Sequence, residues 1–261
     1  MNTILKLLIA ILTFTTYVAY AQNNDPEFKE YFQRGLEQKN SHFIEAFGLS
    51  GEKLRIYNEV QNKYINNEKI ISRVKYEVQK ASRSNTPLPT SVLDLIMKNG
   101  FKRLSPEDLD FYYDTQARIT FSLPDEACRI GVLYGLGSLT TKKEFYPYLR
   151  KSMEQISSDD FEKFINIPRI ALEAEIDQFP PVRYLSEDKK KKAGMQFMNQ
   201  LINLTKQGQK DEVSKVMLTV QNFDVAPAKD VCYSAQFIYK LEKKLNKEDK
   251  DAVNLEKVAS M

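Results

Sequence analysis

The chain has 261 residues, 42% of them hydrophobic and 28% charged, proportions that exclude a disordered chain and a membrane-embedded body. Lys and Arg number 38 against 35 Asp and Glu, a formal charge of +3 that is too weak a field to hold nucleic acid. One histidine and two cysteines leave little material for histidine-dependent catalysis or a zinc site, so neither metal nor cofactor is expected.

The chain opens with a short positive start from Met1 to Lys6, an apolar run from Leu7 to Val18, and Ala19-Tyr20-Ala21 before Gln22. That layout is a secretory signal peptide, since the apolar run falls short of the ~20 residues a spanning helix needs. Residues 1–21 are expected to be removed, leaving 22–261 as one all-helical domain that works in the periplasm or is secreted.

Helix signals then recur along the chain while strand alternation is scarce. A first helix is expected from Asp25-Pro26 to about Lys39, with Phe28, Tyr31, Phe32 and Leu36 on one face, and Ser41 as the cap of another. From Ser50 to Ser84 the pattern stays helical, with Asn66-Asn67 as an interruption. Pro87 and Pro89 break the chain, Thr90 or Ser91 restarts it, and Asn99-Gly100 is expected to end that helix. Ser105-Pro106-Glu107-Asp108 combines a capping hydroxyl, a first-turn proline and first-turn acids, and should open a helix reaching Phe121.

Further helices are expected from Pro124 to Leu139, from Thr141 by its capping-box spacing, from Ser157, and afresh at Pro168. Phe179-Pro180-Pro181 is a rigid turn, and Ser186 starts a helix that Gly208 ends. Val213, Val216, Met217 and Val220 mark another helix, and two more begin at Pro227 and near Asn246. The expected fold is all-α, a single array of about a dozen helices. The weak candidate boundaries lie near 85–90 and 179–185. Leu104–Leu139 and Val213–Leu245 share an outline of helix, proline, cysteine and helix, so a pseudo-repeat of two halves competes with ordinary helix punctuation.

Cys128 and Cys232 both fall early in proline-opened helices, and an even count in an exported chain suits a single disulfide. A Cys128–Cys232 bond is therefore expected, with two buried thiols as the alternative. Gly131 and Gly135 share a helix face where a neighbouring helix can come close.

Chemistry-bearing residues are few. His42 reads as an exposed first-turn residue, the Lys189–Lys192 run as a solvated helix face, and Asn203-Leu204-Thr205 as a sequon inside a helix. Glu173 and Asp177, one turn apart beside an apolar stripe, are the carboxylates that a cell-wall hydrolase or lyase would use. The clusters Phe111-Tyr112-Tyr113 and Phe145-Tyr146-Pro147-Tyr148 cannot turn every ring to one core. Tyr112, Tyr113, Tyr146 and Tyr148 therefore form the expected binding surface. The sequence points to a monomeric, non-enzymatic protein-binding or accessory role in the bacterial cell envelope, its partner an unidentified envelope protein, with carboxylate-based wall cleavage as the competing reading.

Overall fold

The computed structural model describes residues 25–83 and 92–259. The expected signal segment, the Pro87–Pro89 break, the restart at Thr90 or Ser91 and the side chain of Tyr31 lie outside the described ones. Among the described residues the fold is all-helical, with no strand. No described helix is long and apolar enough to cross a membrane.

The first helix, α1 (Asp25–Phe47), buries Phe28, Phe32 and Leu36. It does not stop at Ser41, whose hydroxyl donates to the Glu37 carbonyl one turn back, a bond that lets serine sit inside a helix. His42 is accordingly a mid-helix residue, exposed as expected. Helices α2 (Gly51–Ile65) and α3 (Glu68–Arg83) are divided at Asn66 and Asn67, and the Asn67 side-chain oxygen accepts from the amides of Lys69 and Ile70.

Helix α4 (Val92–Phe101) runs through Gly100. A Cβ at Gly100 would collide with the Ala171 carbonyl, so this glycine permits a close helix crossing rather than ending a helix. Ser105 caps α5 (Pro106–Phe121) by accepting from the Asp108 amide at 3.1 Å. Helix α6 (Asp125–Tyr134) ends earlier than its sequence pattern suggests, because Gly135 takes φ 78° and the chain continues as a 3₁₀ turn at Leu136–Leu139. Gly131 does allow the close approach expected of it, since a Cβ there would lie 3.0 Å from Thr120 Cγ2 on α5.

Thr141 caps nothing. Its hydroxyl donates to the Ser138 carbonyl, and α7 (Tyr146–Glu154) starts after a second 3₁₀ turn at Lys143–Phe145. Ser157 caps α8 (Ser158–Asp177) through the Asp160 amide, and α8 passes straight over Pro168. Proline removes one amide donor and usually breaks a helix. Here Pro168 is buried in a long helix packed against α2, α3, α4 and α5, and that packing keeps α8 whole.

Ser186 caps α9 (Glu187–Leu204), which runs through a wide turn at Thr205–Gln209 into α10 (Lys210–Gln221), with Gly208 at φ 91° making the bend. Helices α11 (Ala228–Glu242) and α12 (Lys247–Ala259) complete the chain. Asn246 and Asp249 exchange bonds at the start of α12, side chain to amide and side chain to side chain, and bury Asp249 in doing so.

Two layers result. The main hydrophobic core is built from residues between Phe28 and Leu172; among the described buried residues beyond Leu172 it takes in only Cys232, Leu255 and Val258, with Ile176 and Leu185 packed against it. The second layer, α9 to α12, lies against α5 and α6. The linker between the layers is pinned. Arg103 and Glu175, with side chains only 6% and 8% exposed, meet at 2.8 Å. Arg103 also donates to the Pro180 carbonyl and to Gln178 Oε1, so its fork is filled. Arg183 adds a two-pronged bond to Asp251 at 2.7 and 2.8 Å.

Candidate functional site

The second layer is fastened to the first covalently and by charge. Cys128 on α6 and Cys232 on α11 form a disulfide with a Cα separation of 5.8 Å. Below it, α11 runs back along α5: Gln236 reaches the Phe121 carbonyl, while Tyr239 and Lys243 both bond Asp114 one to two turns away. Lys247 pairs with Glu107, and Lys250 with Asp110. Glu107, Asp110 and Asp114, on successive turns of α5, thus form a seam with Lys243 at the C-cap of α11 and with Lys247 and Lys250 of α12.

Charge states follow from this packing. Burial opposes the charge of Asp114, but bonds from Lys243 and Tyr239 outweigh it and hold the carboxyl below its ordinary range. Burial, and then the bond to Asp114, pushes the Tyr239 hydroxyl above its ordinary value. Glu107 is lowered by its bond from Lys247.

Between α5, α6 and α11 lies a groove of about 330 Å³. Helix α5 presents Tyr113, Gln116, Ala117, Thr120 and Phe121 to it. Gly131 and Val132 of α6 and Phe223, from the loop after α10, also line it. From α11 come Ala235, Ile238, Tyr239 and Glu242, which share a face by their helical spacing. Lys257 of α12 also lines it, 2.6 Å from Glu242 and 5.2 Å from the Tyr113 ring centre.

The expected tyrosine surface is not assembled. Tyr112 is buried between Phe164 and Phe101, with ring centres 5.3 and 5.0 Å away. Tyr113 packs edge-on against Tyr112 and shows only its groove side. Tyr146 is buried with its hydroxyl donating to the Thr140 carbonyl, which leaves Tyr148 as the exposed member at 46%. Core packing takes Tyr112, Tyr113 and Tyr146, rings that the spacing left undecided.

Glu173 and Asp177 do come together, in a cleft of about 430 Å³ between α8 and the start of α3. Arg169 bonds Glu173 at 2.6 Å, Asn67 donates to its other oxygen, and Lys69 bonds Asp177 at 2.8 Å. Each carboxylate would have to exchange its cation for a substrate before acting on one. No cluster of potential metal ligands occurs among the described residues. Three lysines of the Lys189–Lys192 run are likewise matched within the chain. Lys189 and Lys192 pair with Glu248, and Lys190 with Glu256, which joins the first turns of α9 to α12.

The surface that sequence reasoning missed is on α9. Ala193, Phe197 and Leu201 face the layer, whereas Met195, Met198 and Ile202 form a second apolar stripe that is 53%, 49% and 46% exposed. The stretch from Phe179 to Tyr233 carries most of the exposed large hydrophobic side chains among the described residues. The available signal was the presence of two apolar stripes on one helix, of which a thin layer can cover only one.

No family model, curated protein or solved structure matches this chain. The fold and its site therefore define the class by themselves, a two-layer, all-helical protein braced by one disulfide.

Proposed function

We propose that the chain is an exported protein that acts without catalysis in a bacterial cell envelope, most simply the periplasm, by binding another envelope protein. The second apolar stripe of α9 is the observation that carries this reading. Methionine and isoleucine at i, i+3 and i+7 give a helix a continuous apolar ridge, and an exposed ridge of that kind suits a partner's groove. Export is supported by the signal-like residues 1–21 and by the use of both cysteines in a disulfide, a bond that persists in oxidising compartments. The chain is read as a monomer until it meets that partner.

The test is to replace the ridge by charge, with Met195→Glu, Met198→Glu and Ile202→Glu together. These positions support little of the core, so melting should be nearly unchanged. Recovery of specific envelope proteins on the immobilised chain should fall at least about tenfold, as expected when central apolar anchors are removed. Equal recovery by both forms would overturn the assignment.

A further inference from the structure

We propose that a second groove, formed by the end of α9, the start of α10 and α11, binds a single-chain apolar carboxylate, of which a fatty acid is the simplest. Leu204, Phe237 and Leu241 give this groove its apolar lining, and Lys240 and Lys244 stand beside them. Each lysine follows an apolar residue by three positions, Lys240 after Phe237 and Lys244 after Leu241, so cation and apolar side chain share one side of the helix end. At about 240 Å³ the groove is smaller than the roughly 300–1,000 Å³ of pockets for drug-sized ligands, a size that suits one narrow chain and not a ring system. By helical spacing Leu204 lies on the side of α9 turned away from Met195, Met198 and Ile202, so the groove is separate from the ridge.

The charges of the lining select the head group. Lys243, Lys247, Lys250 and Lys257 each hold an acid of α5 or α11. Lys240 and Lys244 form no ion pair among the described residues. The acid in the lining, Glu212, already accepts from the Tyr233 hydroxyl and, at 3.2 Å, from the Gln209 side chain. An incoming ammonium would therefore meet two unmatched cations and an acid whose bonds it would have to break, whereas a carboxylate can offer one oxygen to each lysine. Its hydrocarbon chain then covers Phe237, Leu241 and Leu204 and removes their apolar surface from water.

The probe is decanoate, titrated calorimetrically below its micelle-forming concentration into the full-length protein with its disulfide formed. Saturable one-to-one binding is expected. Decanol, with the same hydrocarbon and no charge, and decylammonium, with the opposite charge, should each bind at least about tenfold more weakly. The double variant Lys240→Gln with Lys244→Gln should weaken decanoate by a similar factor and, because both lysines are exposed, should melt as the parent does. Absence of saturable decanoate binding, equal affinity for decanol, or binding undiminished in the double variant would each overturn the proposal. The glutamate ridge variant of α9 should bind decanoate normally; loss of binding there would overturn the assignment by placing the ligand on the ridge. Sedimentation with phosphatidylglycerol vesicles separates a free acid from a bilayer surface. The protein should stay in solution, and lysine-dependent pelleting without decanoate binding would overturn the proposal in favour of a membrane contact.

Discussion

Cys128 and Cys232 stand 104 residues apart in the chain, yet their Cα atoms lie 5.8 Å apart where α6 meets α11. The bond joins a layer that contributes little to the main core onto the layer that contains it. Replacing both cysteines by alanine removes the cross-link without leaving a lone thiol. For a loop of this length the chain-entropy estimate is ~4.7 kcal/mol, with typical measured losses of roughly 2–5. Urea denaturation of the double variant should show a loss in that range, and a loss below about 1 kcal/mol would contradict a bracing role.

Arg103→Met should be among the most damaging single changes away from the disulfide. It leaves Glu175 buried without its cation and frees the Pro180 carbonyl and Gln178 from their shared partner. Breaking a buried pair in this way costs roughly 3–5 kcal/mol. The double variant Arg103→Met with Glu175→Leu should recover much of that loss, because no buried charge is left behind. Denaturation of both variants checks the sign of the difference.

Gly100→Ala should destabilise by about 1–3 kcal/mol or more, since its methyl group meets the Ala171 backbone carbonyl and not a movable side chain. The same substitution at Gly194, where nothing lies within 4 Å, should be neutral or mildly stabilising through helix propensity. Paired thermal melts make the comparison.

Acid should loosen the second layer first. Asp114, Glu107 and Glu248 all titrate below their ordinary range in the folded chain: Asp114 through bonds from Lys243 and Tyr239 that overcome its burial, Glu107 through Lys247, and Glu248 through Lys192. A lowered folded value means that the unfolded chain takes up protons first on acidification. The stability from these pairs is therefore complete only above about pH 5 and is lost as pH falls through the folded values. Hydrogen exchange, corrected for its intrinsic pH dependence, should show α11 and α12 losing protection before α8. Uniform loss would contradict the seam.

Much of this fold was legible where local chemistry acts alone. Ser105, Ser157 and Ser186 each cap the helix expected of them, and Asn66-Asn67 divides α2 from α3. The cysteine pair was legible from its parity and helix positions. What failed were signals that tertiary packing overrides. Ser41 and Pro168 look like boundaries but sit inside helices whose neighbours hold them, and Gly100 looks like a stop but serves a helix crossing. The tyrosine clusters failed for the same reason, since spacing shows that not every ring can face one core but not which neighbour covers each. Tyr113 alone joins the groove, while Glu242 and Lys257 lie on separate helices with nothing in the sequence to pair them.

The most direct measurement places a photo-reactive side chain at Met198, at the centre of the α9 ridge, and another at exposed Tyr76 on α3 as a comparison. Irradiation in the native envelope should give a discrete adduct from position 198 and none from position 76. Adducts of equal yield and pattern from both sites, or none from position 198, would contradict the claim that this ridge is where the protein meets its partner.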